Sequence, residues 1–390
     1  MNPRTPGLAR LFGTFLSLGL TAFGGLAMIE PLRRRVVEDK GWLGQRDFLD
    51  GVAFCQVLPG ATVVQLATYV GQRLRGPAGA LAAAAGFILP AFVLMTGLTG
   101  LYVRFGHLPW VQVLSRGLNA AVIALLLQVL WRLGRDFCRS WPDLVLAAAA
   151  LGAFAARLNY LAVFLGAGLV RLALASAREP RPEAASGRPA PKGSLRELGV
   201  VMALVAGAGG LWLGLRQLSP LLAQLAALMA KVGLISFGGG YVMIPVLQRE
   251  VVEHLQWLTL PQFLDGLLLS YVTPGPLLIL AAFTGFLVQG PAGAAVATVA
   301  IFLPPILMVV GLSPLYEQVK SSPRVRPFIR GVLAALAGML TWTTLTLALP
   351  TLTDLRTWAL MLGAAWALIA WEVNLLWVIA AVAAMSLLIF

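Results

Sequence analysis

Long apolar runs separated by short polar stretches dominate this chain of 390 residues. Each run approaches the roughly 20 residues that a helix needs to cross a bilayer. In the first half we predict spans near residues 8–30, 51–72, 77–103, 114–134, 141–156 and 158–176. Further spans are predicted near residues 197–216, 219–245, 265–289, 291–316, 328–350, 355–371 and 374–390. The pattern therefore predicts an all-α polytopic membrane protein with about thirteen apolar spans.

The second half of the chain repeats the first. Residues 36–60 align with residues 251–275 at a constant offset of 215, and 12 of the 25 positions are identical. An offset of 214 extends the match, because Phe23-Gly24-Gly25 then aligns with Phe237-Gly238-Gly239 and Arg116-Gly117 with Arg330-Gly331. We predict a first repeat (1–177), a polar linker (178–196), an extra unpaired span (197–218) and a second repeat (219–390).

The unpaired span determines how the two repeats are oriented. Six spans return the chain to its starting side, and a seventh makes the second repeat enter the membrane upside down, so we predict inverted-topology repeats. If one Pro-Gly span is re-entrant and does not cross, the count changes and the inversion has to be reconsidered. With the N-terminus inside, 18 Lys and Arg residues fall on cytoplasmic segments and 10 outside. Amphipathic segments at 31–50 and 245–264 are predicted to lie at the membrane interface.

Composition excludes several classes of protein. With 59% hydrophobic and 12% charged residues and a mean hydropathy of +0.85, the chain has too much apolar surface for a soluble core. The net charge of +13 fits basic cytoplasmic loops, so we expect no nucleic-acid partner. Two cysteines and two isolated histidines offer no metal site or cofactor site, and no constellation of catalytic groups predicts an enzyme.

Two apolar runs carry helix-breaking residues at matched positions, Pro59-Gly60 and Pro274-Gly275-Pro276. A break at membrane depth exposes backbone groups and is tolerated where it lines a cavity or is buried in protein. The half-helix that follows presents its N–H groups to an anion. With the flanking side chains Gln56, Thr62, Tyr271 and Thr273, the breaks predict a substrate site; simple packing is the alternative.

Glycines and one lysine mark the first span of each repeat. Gly24, Gly25, Gly238 and Gly239 either allow close helix packing or break the helix to expose amides to substrate. Lys231 lies inside an apolar run, and its repeat partner is Ser17. An intramembrane lysine is costly, so we expect a counter-ion for an anionic substrate; snorkelling or pairing with a carboxylate is the alternative.

Matched charges occur at the starts of other spans. Arg116 and Arg330 either snorkel to headgroups or guide an oxyanion through bidentate hydrogen bonds. Asp50 and Asp265 open the two broken segments, where they either cap helices or carry coupling protons. Glu30 ends the first span and is a third candidate for coupling, although the second half has Pro245 there.

The combination of these motifs resembles the chromate ion transporter family, in its two-domain, long-chain form. The motifs are Phe23-Gly24-Gly25, Gly41-Trp42-Leu43, Phe48-Leu49-Asp50, Gln56 before Pro59-Gly60, Tyr69-Val70-Gly71 and Leu89-Pro90, with their repeats in the second half. The resemblance covers nearly the whole chain. Ala61 and Tyr271 depart from it, since the family usually has a second proline and a glutamine at these positions.

This resemblance implies a carrier in a bacterial or archaeal inner membrane that exports chromate and is driven by the proton-motive force. Residue types do not separate chromate from sulfate or another tetrahedral oxyanion, so both substrates stay open. A passive anion channel or a lipid-handling protein is the alternative of another class. The expected partners are the oxyanion, protons and the lipid bilayer, and the oligomeric state stays open.

Overall fold

The computed structural model describes residues 6–21, 28–137, 140–174, 195–236, 240–313 and 324–390. Every regular element in these ranges is helical. The described part of the chain therefore has the all-α class that the apolar runs predict. The glycines at positions 24, 25, 238 and 239, and most of the predicted linker, lie outside the described residues.

The helices follow one order in both halves of the chain. In the first half they are α1 (Leu8–Thr21), α2 (Ile29–Arg33), which continues as a π-helical segment (Arg34–Asp39), α3 (Gln45–Val57), α4 (Thr62–Phe105), α5 (Pro109–Phe137), α6 (Trp141–Ala155) and α7 (Tyr160–Ala173). Then come α8 (Leu195–Leu218), α9 (Pro220–Ile235), α10 (Met243–Leu247) with a π-helical segment (Gln248–His254), α11 (Leu260–Val272), a 3-10 turn (Leu277–Ile279), α12 (Leu280–Leu312), α13 (Val325–Thr351), α14 (Leu355–Ile369) and α15 (Leu375–Ile389).

Five of the described helical stretches are long and apolar enough to cross a membrane. They are Thr62–Phe105, Pro109–Asp136, Gly199–Leu218, Leu277–Leu312 and Val325–Thr351. Several further apolar helices, including α1, α6, α7, α9, α14 and α15, have 10–17 residues. The chain is thus a multi-pass helical membrane protein, while the number of thirteen spans stays a prediction.

The predicted span at 51–72 is instead a helical hairpin. Its break at Pro59-Gly60 is present, because α3 ends at Val57 and α4 begins at Thr62. A continuous helix would separate residues 51 and 69 by roughly 27 Å. In the structure a Cβ on Gly51 would overlap the Tyr69 ring, and the rings of Phe54 and Tyr69 lie 6.1 Å apart. Residues 51–72 therefore fold back at the break and do not form one crossing helix.

The hairpin folds back because each of its arms is too short to cross. The arms, α3 and the first 13 residues of α4, are each about 20 Å long at 1.5 Å per residue, against a hydrocarbon core of about 30 Å. Near the open end of the hairpin, Asp47 lies 3.8 Å from Arg73. Residues 61–72 are buried on every side, so this arm lies at the centre of its unit.

Both long broken helices contain a second sharp turn. In α4 it lies at Arg75 (φ −142°, ψ 19°) and Gly76 (φ 63°, ψ −155°). In α12 the same turn lies at Gln289 (φ −147°, ψ 37°) and Gly290 (φ 58°, ψ −154°). Glycine is required here, because other residues rarely adopt this conformation. The helices restart at Pro77 and Pro291, where the apolar pattern predicts new spans.

The backbone conformation repeats together with the sequence. The unusual positive φ angles fall on matched positions 214 or 215 residues apart: Gly41 and Gln256, Gly60 and Gly275, Gly76 and Gly290, and Arg157 and Glu372. The two π-helical segments are matched in the same way. Asn159 and Asn374 cap matched helices through their side chains. The internal duplication is therefore visible in three dimensions.

The chain divides into two compact units that do not coincide with the sequence repeats. The first unit comprises Met1–Thr99, Pro182–Met243 and Leu269–Ser322, and the second comprises Gly100–Arg181, Ile244–Leu268 and Pro323–Phe390. Each unit takes segments from both halves of the chain. A repeat is therefore not a compact body in this fold.

In the first unit, glycines allow close helix packing at matched places. Gly19 of α1 lies against the backbone of Phe87 in α4, and Gly233 of α9 lies against the backbone of Ile301 in α12. A Cβ at either glycine would overlap a carbonyl oxygen. Small residues at such crossings let the helix backbones approach closely, which is typical of membrane helices.

In the second unit the two repeats exchange partners. The long helix α5 packs against α14 and α15 of the second half, and α13 packs against α6 and α7 of the first half. Gly117 lies against Ser386, and its repeat counterpart Gly331 lies against Arg171, which is the counterpart of Ser386. The exchange makes this unit a bundle built jointly by both halves.

Candidate functional site

The first Pro-Gly break forms a buried tip in the first unit. The N–H of Gly60 donates a hydrogen bond to the carbonyl oxygen of Ser236, at the end of α9. Gln65 Nε2 donates to the carbonyl oxygen of Pro59 at 2.7 Å. A Cβ on Gly60 would lie 2.6 Å from Pro305 Cβ, so only glycine fits this position. The break is thus an ordered, close-packed turn.

The second break meets the first half of the chain. Gly275 has φ 122°, and a Cβ there would lie 2.6 Å from the Cβ of Ala91. Ala91 and Pro305 are repeat counterparts, so each tip contacts the long helix of the other repeat. Thr273 is buried, and its hydroxyl has no hydrogen-bond partner among the described residues. A buried donor in this position is available to a ligand oxygen.

The predicted lysine lies on the helix that ends at the first tip. Lys231 is half-buried in α9, five residues before Ser236. Five helical residues correspond to about 7.5 Å along the axis. Lys231 and the Pro59-Gly60 tip therefore belong to the same part of the first unit.

The second unit contains a cavity of about 620 Å³ that is lined by both polar and apolar groups. Its lining residues come from the end of α4, from α5, from the start of α11 and from the end of α13: Tyr102, Gly106, Gln112, Ser115, Arg116, Asn119, Thr259, Leu260, Pro261, Gln262, Leu264, Asp265, Pro350, Thr351 and Thr353. Two predicted site residues, Arg116 and Asp265, lie in this one wall although 149 positions separate them in sequence.

Asp265 is the buried charge of this cavity. Its side chain lies in α11, and the residue is 7% exposed. Tyr102 Oη donates to Asp265 Oδ2 at 2.9 Å, and the side chains of Ser115 and Asn119 line the cavity beside the carboxyl group. Burial disfavours the charged form of a carboxyl group, whereas the Tyr102 donor stabilises it. This balance suits a group that gains and loses a proton.

Arg116 is held by an ion pair at the same cavity. Its Nη2 lies 2.5 Å from Asp354 Oδ2, and its guanidinium lies 4.7 Å from the centre of the Phe390 ring. Asp354 also caps α14, where it accepts the backbone N–H of Thr357 at 2.8 Å. That hydrogen bond and the nearby Arg116 hold the pKa of Asp354 below its ordinary value. Arg330, the repeat counterpart of Arg116, lies in α13 and does not line this cavity.

The other predicted residues lie in varied environments. Thr62 is buried at the start of α4, whereas Gln56 is exposed one turn before the tip. Tyr271 and Pro274 are half-buried beside the second tip, and Asp50 is half-buried in α3. Glu30 lies on the surface and forms an ion pair with Arg33 at 2.7 Å. A carboxyl group that carries protons is expected to be buried. Of the candidates Asp50, Asp265 and Glu30, Asp265 is the most deeply buried.

Sequence reasoning missed several residues that the structure brings to these places. Gln65 donates a hydrogen bond at the first tip, Ser236 accepts one from it, and Asn119 lines the cavity together with Asp265. Comparing the two repeats would have found two of them, since Gln65 and Asn119 align with Ile279 and Leu333. When one repeat has an amide side chain in an apolar run and the other repeat has an aliphatic residue at the matched position, the amide is expected to have a role that only the first of these repeats performs.

Among the described residues, no group of three or more His, Cys, Asp or Glu side chains is placed to hold a metal ion. The described side chains at these places therefore provide hydrogen-bond donors, the positive charges of arginine and lysine, and isolated carboxyl groups. Such groups bind and release small ions and protons.

Comparison with known proteins places the chain in a family. The family described as chromate transporter matches residues 9–172 and 223–387. The chain is 33% identical to the chromate transport protein of Cupriavidus metallidurans over 360 residues, 90% of this chain and 85% of the relative. It is 34% identical to the chromate transport protein of Pseudomonas aeruginosa over 353 residues, 87% of this chain and 80% of the relative.

An uncharacterized transporter of Methanocaldococcus jannaschii is 30% identical over 345 residues, which cover 88% of this chain and 85% of the relative. No solved structure gives a significant match to this chain. The two matched stretches together take in most of the chain, including both Pro-Gly tips and the residues of the cavity. This protein therefore belongs to the chromate transporter family.

Proposed function

We propose that the protein is a secondary carrier that exports chromate across the cytoplasmic membrane of a bacterium or archaeon, with energy from the proton-motive force. Two relatives of nearly the same length are named chromate transport proteins, and the chain shares about a third of its residues with them. Chromate is a tetrahedral dianion, so its carrier needs hydrogen-bond donors and positive charge inside an apolar protein.

The observation that carries this proposal is the duplicated Pro-Gly tip. Each tip ends one helix and starts another inside the packed first unit, and residues 61–72 and 277–285 are buried throughout. The N-termini of the following helices, at Thr62 and Leu277, present N–H groups and positive dipole ends where they start. An anion at this depth would be stabilised by both.

Side chains around the tips complete the proposed substrate site. Lys231 supplies the counter-charge, and Gln56, Thr62, Tyr271 and Thr273 supply polar groups beside Pro59-Gly60 and Pro274-Gly275. The half-buried position of Lys231 near Ser236 and the unpartnered Thr273 hydroxyl support this assignment. Arg116 and Arg330 would attract the oxyanion before it binds.

Coupling is proposed to run through carboxyl groups. Asp265 is the best supported, because it is buried and lines an open cavity from which water can deliver protons. Asp50 is its counterpart in the first repeat, and Glu30 is a third candidate. Protonation of Asp265 would remove a buried charge. The stability of the cavity wall would therefore depend on whether Asp265 is protonated.

The two transporter repeats at 1–177 and 219–390, which flank the linker and one unpaired span, are proposed to have inverted topology. Because the hairpin at residues 51–72 changes the number of crossings, this proposal rests on the two-fold relationship between the halves and not on the count of spans. The exchange of helices in the second unit supports a two-fold relationship between the halves. In the first unit, the contacts of Gly60 with Pro305 and of Gly275 with Ala91 have the same exchanged form. Accessibility of single cysteines introduced at Gly13 and Gly363 would test the membrane orientation of each repeat.

Transport into everted and right-side-out vesicles tests the function. Labelled chromate should accumulate in everted vesicles when a pH gradient of the physiological sign is imposed, and accumulation should stop when an ionophore collapses that gradient. Equal flux with and without the gradient would contradict coupling. Absence of chromate flux in either orientation would contradict chromate as the substrate.

The same vesicle assay also tests two alternative functions. Sulfate nearly matches chromate in charge and shape, so competition between the two anions identifies the preferred substrate. A passive anion channel would conduct without a proton-linked carboxyl group. Flux that is unaffected by pH and by the variants Asp50→Asn and Asp265→Asn would favour the channel.

A further inference from the structure

We propose that the cavity of the second unit holds a binding site for a small monovalent cation, with Na⁺ as its probe, formed by Asp265, Asn119, Ser115 and Tyr102. These four side chains come together from the end of α4, from α5 and from α11, and all of them line the cavity. Asn119 and Ser115 were not among the residues predicted from the sequence.

Charge is the first argument for this site. The donor that the structure gives to Asp265 is the neutral Tyr102 phenol, and the Ser115 hydroxyl and the Asn119 amide that line the cavity with it are also neutral. Arg116 lines the same cavity, but its guanidinium lies 2.5 Å from the carboxylate of Asp354. A buried carboxylate is costly without a positive partner. A cation that enters the cavity supplies that charge.

The Asn119 carbonyl oxygen is the second and independent argument. Asn119 is 7% exposed, and its Oδ1 is buried without a hydrogen-bond partner in the described part of the chain. Asn119 lines the cavity together with Asp265, so this oxygen is available to a ligand that enters there. A proton on Asp265 needs no further oxygen, whereas a hard cation requires several oxygen ligands.

The ligand set also indicates the charge of the cation. It contains one carboxylate and three neutral groups that carry oxygen. Divalent sites are usually built from more carboxylates, and no cluster of three or more acidic, His or Cys side chains occurs among the described residues. One negative charge with neutral oxygens matches a monovalent ion.

The site is formed by residues of both halves, but the duplication does not give it a second copy. At an offset of 214, Ser115 aligns with Ile329 and Asn119 with Leu333. The second copy of the pattern therefore lacks both neutral ligands, although Asp50 matches Asp265. As a binding site the inference is independent of the anion that is carried. As a coupling site it rests on the proposed function.

Equilibrium binding of ²²Na⁺ to the purified full-length protein in detergent tests the site. The wild type should bind Na⁺ saturably and should unfold at a higher temperature when NaCl replaces choline chloride at equal ionic strength. Asp265→Asn and Asn119→Leu should each weaken binding at least about tenfold. Leucine is the residue found at the matched position of the second repeat, and it is similar in size to asparagine.

The control is Glu372→Gln, which removes an exposed carboxylate elsewhere in the second unit and should leave binding unchanged. Ser115→Ala provides a milder change if Asn119→Leu unfolds, and it should also weaken binding. Equal effects of Na⁺, K⁺ and choline, or wild-type affinity in Asn119→Leu and Ser115→Ala, would overturn the site. Chromate flux that fails while Na⁺ still binds would contradict the proposed function and leave the cation site standing.

Discussion

The Tyr102 phenol donates a hydrogen bond to Asp265 Oδ2 at 2.9 Å, joining the end of α4 to α11 across 163 positions of sequence. It is a bond between a neutral donor and a carboxyl group, and both residues line the cavity of the second unit. Such a bond orients the carboxyl group and stabilises its charged form.

Tyr102→Phe should therefore impair transport without unfolding the protein. Loss of a hydrogen bond to a charged group removes about 1.5–3 kcal/mol. We expect gradient-driven chromate flux to fall by about a factor of ten or more, since 1.4 kcal/mol corresponds to tenfold. Initial rates in everted vesicles, normalised to the amount of protein, are the measurement.

Tyr160→Phe is the matched control, because the Tyr160 hydroxyl also donates to a carboxylate, Glu250 Oε1 at 3.2 Å, outside the cavity. That variant should transport normally. If both variants lose activity equally, the effect is one of stability, and the special role of the Tyr102–Asp265 bond is excluded.

The Pro59-Gly60 tip predicts a second, steric effect. Gly60 has φ 134°, and a Cβ there would lie 2.6 Å from Pro305. Gly60→Ala should destabilise the fold by about 1–3 kcal/mol through its backbone conformation alone, with overlap added. Thermal unfolding in detergent and chromate flux should both decrease.

Gly13→Ala serves as the comparison for the tip variant. Gly13 lies in α1 with no atom within 4 Å of an added Cβ. Alanine in a helix is favoured over glycine by about 0.5–1 kcal/mol, so this variant should be as stable as the wild type or more stable. A Gly60→Ala protein with wild-type stability and flux would show that the tip does not need glycine.

The sequence predicted where the chain breaks but not how it continues. Pro59 and Gly60 predict a break in the helix, because proline removes a backbone N–H donor and glycine loosens the helix. An apolar run has the same length whether it crosses the membrane or folds back, and the contact of Gly51 with Tyr69 that distinguishes them is tertiary. The apolar pattern alone therefore could not predict that this segment forms a hairpin.

The candidate sites were predicted residue by residue, and their grouping was not. Asp265 and Arg116 are conspicuous as charges in apolar surroundings, yet nothing in their spacing places them in one cavity wall. Asn119 is inconspicuous until its counterpart Leu333 is compared with it. The grouping of these residues in one site depends on burial and hydrogen bonding between helices that are distant in sequence, and the sequence pattern does not contain that information.

A buried ion pair between α6 and α7 should matter for stability and not for transport. Arg171 Nε lies 2.8 Å from Asp143 Oδ1, and the side chains are 7% and 3% exposed. Arg171→Ala leaves Asp143 buried without its charge partner, which should cost about 3–5 kcal/mol. The lowered unfolding temperature is the measurement, and flux per folded molecule should persist.

Two comparisons isolate the charge of this pair. Arg35→Ala breaks an exposed pair with Asp39 at 3.3 Å and should cost about 0–1 kcal/mol. The double variant Arg171→Met/Asp143→Leu removes both buried charges and should recover most of the lost stability. If the double variant is no more stable than Arg171→Ala, the loss comes from packing.

Lys231→Gln should abolish transport while membrane insertion and folding stay intact. The substitution keeps the length and polarity of the side chain but removes the charge proposed to balance an oxyanion. Lys40→Gln, in the polar turn after the first π-helical segment, should have no effect. Normal transport by Lys231→Gln would disprove the role as counter-ion.

The Arg116–Asp354 pair should be insensitive to pH in the physiological range. The backbone N–H of Thr357 and the charge of Arg116 lower the pKa of Asp354 in the folded protein. A carboxyl group whose pKa is lowered by folding contributes stability above its unfolded value of about 3.9, and loses that contribution as the pH falls through the lower folded value. Wild type and Asp354→Asn should therefore differ by a constant amount between about pH 5 and pH 8.

Unfolding temperatures of the two proteins across this range, and in acid as far as they stay soluble, measure the difference. Asparagine still caps the helix, so the comparison isolates the charge of Asp354. The difference should shrink only below about pH 4. A difference that titrates near neutral pH would make this pair a proton switch, and pH-dependent transport would then no longer require Asp265.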